Sequence, residues 1–286
     1  MPDLPWQEMD QAARDAAYDN RAAVPGSGEL TAGWSRAAQA FRTARSSGLD
    51  IAYGEREREK LDYFASGQDA APLFVFIHGG YWQSRAKEDF SHFAAGPLAR
   101  GFNVALPGYA LAPDVRLRTI VDEIRAALTW LAEHAGELGF DPQRLFVGGW
   151  SAGGHLAAMM LDHPAVSGVL AVSGIFDLEP IADTYLNEAL RLSSDEIAEL
   201  SPRRRIPPAG HCPPLRLFVG GAELEALRRQ SADYAAAARA AGLDVRFGEL
   251  AGHNHFTILE ELESAQGALV EALCALAEAP APPPRR

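Results

Sequence analysis

Between Leu145 and Leu161 the chain passes from a short apolar run, Leu145-Phe146-Val147, through Gly148-Gly149-Trp150-Ser151-Ala152-Gly153 into an Ala- and Met-rich stretch. An apolar run this short, continuous rather than alternating, predicts a strand buried on both faces. The stretch after it predicts a helix over Ser151–Leu161, so strand and helix meet in a sharp turn. A strand covered on both faces belongs in a sheet with helices on each side.

The rest of the chain repeats that pattern. Leu73–Ile77, Phe102–Leu106, Val169–Val172, Leu215–Val219 and Val245–Leu250 read as further strands. Glu88–Arg100 (stopped by Gly101), Leu117–His134, Ala226–Ala241 and Ile258–Ala279 read as helices. Ile51–Tyr53 and Lys60–Phe64 are candidate edge strands joined by a charged turn. Alternating strands and helices predict an α/β fold with a mainly parallel central sheet. At 286 residues, with 48% hydrophobic residues, the chain suits one such unit with a large core. Residues 1–50 read as an N-terminal helical arm packed on the main domain, because Trp6, Trp34 and Phe41 need a surface to cover. Residues 51–279 form the domain itself, and 280–286 read as a disordered Pro-rich tail. The segment 177–214 holds helical patches and no strand, so it reads either as a small lid insertion over the strand ends or as an ordinary surface insertion. No internal repeat is present.

The formal net charge of −12 argues against a nucleic-acid or anionic-membrane surface, which would need a basic patch. The two cysteines, Cys212 and Cys274, lie far apart and outside any Cys-x-x-Cys pair, so neither a disulfide framework nor a cysteine zinc site is expected. Met1–Trp6 lacks the basic and apolar regions of a signal peptide, and no apolar stretch is long enough to span a bilayer. A soluble cytoplasmic protein is expected, acting on a small-molecule amide or ester, with neither nucleic acid nor membrane as partner, alone or as a homodimer.

The chemistry centres on Gly149-Trp150-Ser151-Ala152-Gly153. A bare Gly-x-Ser-x-Gly occurs by chance, but here it follows a strand and opens a helix, the context in which a serine hydroxyl is held at the top of a sheet. The alternative, a Gly/Ser-rich turn without chemistry, does not account for that context. A serine needs a base to take its proton and donors to hold an oxyanion. His78-Gly79-Gly80-Tyr81-Trp82 follows strand Leu73–Ile77 and predicts an oxyanion hole from the backbone N–H groups of Gly79 and Gly80, completed by that of Ala152. His78 itself is expected to fix the loop. The base belongs after the last strand, where His253 and His255 alternate and cannot both face Ser151. The other histidines, His92, His134, His155, His163 and His211, read as surface or packing residues. Glu223, in Gly220-Gly221-Ala222-Glu223 after Leu215–Val219, is the favoured acid on placement. Asp177 after Val169–Val172 is its rival, and Asp244 a weaker one because it precedes its strand. No His-Glu-x-x-His, phosphate-binding loop or dinucleotide fingerprint is present.

From about Tyr18 to Leu262 the chain resembles the kynurenine formamidase (arylformamidase) branch of the α/β-hydrolase superfamily. The residues that carry the resemblance are His78-Gly79-Gly80-Tyr81-Trp82-Gln83, Tyr109-Ala110-Leu111-Ala112-Pro113, Gly149–Gly153, Phe176-Asp177-Leu178-Glu179-Pro180, Val219–Glu223 with Arg229-Gln230-Ser231, and Asn254-His255-Phe256. Tyr81 and Trp82 stand where hormone-sensitive-lipase-like esterases usually carry a third glycine. The resemblance places the nucleophile on Ser151, the histidine on His255 and the acid on Glu223, where better-known members have aspartate. It implies an α/β-hydrolase fold and hydrolysis of an aryl formamide such as N-formylkynurenine, in tryptophan breakdown, through an acyl-enzyme and with no metal or cofactor. A short-acyl carboxylesterase of the same fold is the alternative, and a hydrolase-fold binding protein without turnover a third reading. Tyr81, Trp82 and Phe256 are the expected substrate-pocket residues, an aromatic wall for an aryl leaving group; Trp150 is expected to pack beneath the loops.

Overall fold

Along strand β3 (Ala71–Ile77) successive side chains enter two different cores. Leu73, Val75 and Ile77 join one apolar cluster, and Phe74 and Phe76 join the other. The period-two alternation of a strand makes this sorting automatic, and it divides the molecule into two layers on either side of one sheet. The structure is a computed structural model that describes residues 6–279. The segment 280–286, expected to be a disordered tail, lies outside the described residues.

The sheet has eight strands in the order β1-β2-β4-β3-β5-β6-β7-β8. They are β1 (Ile51–Ala52), β2 (Lys60–Phe64), β3, β4 (Asn103–Pro107), β5 (Phe140–Trp150), β6 (Val166–Val172), β7 (Leu215–Gly220) and β8 (Val245–Leu250). From β3 onward every pairing is parallel, while β1 and β2 pair antiparallel. β1 lies at an edge. β2 does not, contrary to expectation, because β4 pairs with its other side. The chain lays β4 on one side of β3 and β5 on the other, so the strand order reverses there. The carboxyl ends of strands at such a reversal frame a crevice where ligands bind.

One layer packs the Leu117–Glu133, Ala152–Ala158 and Glu225–Ala240 helices on the sheet, and the other packs Ser27–Ala44 and Ala268–Glu278. Trp34, on Ser27–Ala44, lies edge-on to Phe93 (5.3 Å) and Trp150 (5.5 Å). Such pairs add about 0.5–1.5 kcal/mol beyond the area they bury. Two expected helices are broken. Glu88–Arg100 becomes two 3-10 turns (Lys87–Asp89 and Ser91–Ala94) and the short helix Ala95–Ala99, which contains Gly96 and Pro97. Ile258–Ala279 splits into a 3-10 turn, Thr257–Leu262, and the helix Ala268–Glu278, whose first amide donates to the Glu261 carboxylate. In 177–214 the chain forms short helical turns and no strand. No helix of the described residues is long and apolar enough to cross a membrane.

Candidate active site

β5 runs directly into the Ala152–Ala158 helix, and Ser151 is the hinge, at φ +58° and ψ −119°. A non-glycine residue there costs on the order of 1–3 kcal/mol and persists only where its surroundings fix it. The Ser151 amide donates to the Val172 carbonyl of β6 (2.8 Å), which ties the turn to the sheet. Gly153 is needed because a Cβ there would collide with the Ile77 carbonyl of β3. The serine is thus held where β3 and β5 end, and it is almost fully buried.

His255 lies just past β8. Asn254 accepts the Phe256 and Thr257 amides on its side-chain oxygen (2.9 and 3.0 Å), and this local turn sets the direction of the next residue. The Trp150 indole donates to the His255 carbonyl (2.7 Å), joining the base loop to the serine turn. His255 Nε2 is 3.1 Å from Ser151 Oγ, and Nδ1 is 2.7 Å from Glu223 Oε2. A carboxylate accepts only, so Nδ1 carries the proton and Nε2 is left to accept from the serine hydroxyl. Glu223 stands just beyond the end of β7, and its other oxygen accepts from the Gly220 amide (2.6 Å) and from Ser173 Oγ (2.5 Å). Three donors therefore fix the carboxylate. Ser173, which sequence reasoning missed, ends β6 in a left-handed conformation (φ +51°). Its role depends on β6 lying beside β7, a neighbour relation with no local sequence signal.

The rivals lie elsewhere. Asp177 bonds to Arg204 and caps the Glu179 amide. Asp244 pairs with Arg216. His253 Nδ1 donates to the Thr257 carbonyl (3.0 Å), and its Nε2 faces Glu261 (3.2 Å), away from the serine. His155 is buried with Nε2 on the Leu200 carbonyl (2.7 Å), and His134 stacks on Trp130. His163 meets Thr129, and His92 lies against Phe93. The side chain of His211 lies outside the described residues. Burial pushes the His155, His78 and His92 imidazoles down to about 4, and the Leu200 and Gly79 carbonyls beside His155 and His78 offset only part of that.

His78 stacks on Tyr109 (4.2 Å), and its Nδ1 meets the Gly79 carbonyl (2.8 Å), so its ring braces the loop that follows. Gly80 adopts φ +115°, and a Cβ there would run into the Ser84 carbonyl. Gly79 packs against the Trp150 ring and carbonyl, and Ala152 opens the helix with its amide at the N-terminus. Of these residues Gly80 lines the same cavity as Ser151, and Ala152 follows the serine at the first turn of its helix. A cavity of about 260 Å³ opens over the serine. Ser151, His255, Trp150, Phe256 and Tyr81 line it, together with Tyr185 from the 177–214 segment. Trp82 does not line it. Its backbone turns left-handed (φ +59°) and sends the indole into the core against His155 (4.9 Å), so it is no pocket residue. Trp150 lines the cavity as well as packing beneath the loops. Tyr81 donates to the Tyr18 carbonyl (2.6 Å) and accepts from Asn20 (2.9 Å), so the N-terminal segment closes one wall.

A serine polarised by an imidazole at the switch point of such a sheet defines a serine hydrolase of the α/β-hydrolase fold. Comparison with known proteins agrees. The kynurenine formamidase of Danio rerio is 32% identical over 77% of this chain and 78% of its own length. That of Salmo salar is 33% identical over 79% and 80%. The chain belongs to the kynurenine formamidase family. A family profile described as BD-FAE matches residues 61–187. Among solved structures, a thioesterase candidate from Silicibacter sp. is 32% identical, with a TM-score of 0.82 over 91% of this chain and 98% of that one. An esterase from Thermogutta terrifontis, at 23% identity and TM-score 0.66 over 80% and 93%, shares the fold. Carboxylesterase NlhH of Mycobacterium tuberculosis is 36% identical over 32% of this chain and 30% of its own.

Proposed function

We propose that Ser151, His255 and Glu223 act together to hydrolyse an aryl formamide such as N-formylkynurenine. His255 Nε2 takes the Ser151 proton as Oγ attacks the formyl carbon. The Gly79, Gly80 and Ala152 N–H groups hold the oxyanion, and Glu223 keeps the imidazole in the required tautomer. His255 then protonates the leaving amine, and water, activated by the same nitrogen, releases formate from the acyl-enzyme. The observation that carries this reading is the serine–imidazole–carboxylate line opening into a compact cavity with aromatic walls, in a chain 32% and 33% identical to two kynurenine formamidases over 77% and 79% of its length. Formyl is the smallest acyl group, and a 260 Å³ space leaves most of its room for one aryl leaving group.

A short-acyl carboxylesterase is the second reading, favoured by the 36% identity to a carboxylesterase over 99 residues. Rates on N-formylkynurenine and p-nitrophenyl acetate separate the two. Strong ester turnover without formamide cleavage would sink the first. In this reading 51–279 is the catalytic domain, the arm before it closes one cavity wall, and 177–214 acts as the lid through Tyr185. Cytoplasmic residence fits two cysteines that pack in different core clusters on opposite faces of the sheet. Cell fractionation tests that location, and light scattering tests the homodimer.

A further inference from the structure

Two arginines, Arg21 and Arg85, line the same cavity as Ser151 and His255. Arg116, Arg125, Arg204, Arg216 and Arg228 each meet a carboxylate. Among the described residues, neither Arg21 nor Arg85 has a carboxylate within ion-pair distance. Burial lowers the Arg85 pKa, the Asp89 charge opposes that shift, and the nearby Arg21 charge adds a smaller push downward. An anion entering the cavity would be attracted by both guanidiniums.

Both backbones are fixed. Arg85 sits at φ +75°, a strained conformation for a long side chain, and Arg58 clamps it by donating to the Arg85 carbonyl (2.6 Å) and to the Tyr109 carbonyl (2.7 Å). Arg21 lies in the turn Asn20–Ala23, capped by Asp19, with Asn20 anchored on Tyr81 and the Arg21 carbonyl accepting from Ser27. A guanidinium presents a planar fork that matches a carboxylate with two parallel hydrogen bonds. We infer that Arg21 and Arg85 form a carboxylate clamp in the Ser151 cavity, so that the site selects acyl compounds bearing a free carboxylate. Arg21 comes from the N-terminal segment, so that segment takes part in substrate choice. The inference rests on the reading of Ser151 as nucleophile, and with a formyl acyl group the carboxylate sits on the leaving group.

The test uses two matched pairs on the full-length protein. One is N-formylkynurenine and N-formylkynuramine, which lacks only the carboxylate. The other is 3-acetoxybenzoate and its methyl ester. Wild type should prefer the acid in each pair it turns over. Arg21→Gln or Arg85→Gln should lower the acid-to-neutral ratio of kcat/KM about tenfold or more, chiefly through KM of the acid, and Arg85→Lys should restore part of it. No wild-type preference, or a ratio unmoved by either substitution, overturns the clamp. If the esters react and the formamides do not, the formamidase reading falls and the ester pair alone decides the clamp. If neither pair is turned over, the Ser151 reading fails and takes the clamp with it.

Discussion

Glu223 illustrates what a single side chain requires of its neighbours. Its carboxylate holds His255 with one oxygen and is itself held by the Gly220 amide and the Ser173 hydroxyl with the other. Glu223→Ala should lower kcat by roughly ten-thousandfold, the scale seen when an imidazole loses its orienting acid. Asp177→Ala should leave kcat within a few-fold, since Asp177 is spent on Arg204 and the Glu179 amide. The reverse pattern in steady-state kinetics would reassign the acid. Ser173→Ala removes one of three donors and should lower kcat about tenfold in steady-state kinetics. Ser151, Glu223 and His255 were legible because each follows a readable strand, and strand ends in this fold carry chemistry. Ser173, Arg21 and Arg85 were not, because their meaning comes from contacts across the sheet or from the N-terminal segment. Trp82 misled because sequence adjacency to the oxyanion loop says nothing of which way a left-handed turn aims its ring.

At the scale of elements, the loop His78–Arg85 concentrates backbone strain. Gly80, Tyr81, Trp82 and Arg85 all have positive φ. Gly80→Ala adds a Cβ at φ +115° against the Ser84 carbonyl, so the loop must shift. Its kcat should fall about a hundredfold, the scale of one lost oxyanion donor, with a modest fall in Tm. A variant that keeps wild-type kcat would remove this loop from the account. The strands were readable because continuous apolar runs buried on both faces leave no competing pattern. The helices Glu88–Arg100 and Ile258–Ala279 were over-extended because apolar periodicity continues through them, while Gly96, Pro97 and the Ser264–Gly267 turn interrupt the backbone.

Over the whole molecule, stability should follow the buried histidines. His78, His92 and His155 are held near 4 in the folded state against an ordinary 6.5. Between those values the unfolded chain binds protons that the native one does not, so stability falls as pH falls from 6.5 toward 4. The slope is up to about 1.4 kcal/mol per pH unit for each histidine. The urea midpoint should drop between neutral pH and about pH 5, and His155→Gln should flatten that drop; a midpoint that rises on acidification would contradict it. Function, likewise, draws on more than one region, since β5, the loops after β3 and β8, the N-terminal segment and 177–214 all meet at one cavity, and the loop after β7 supplies the acid to His255. The most direct test of that assembly is formate release from N-formylkynurenine by wild type and Ser151→Ala. The account predicts turnover by wild type and a loss of at least about ten-thousandfold in the variant. Equal rates in the two proteins, or no release by wild type, would contradict it.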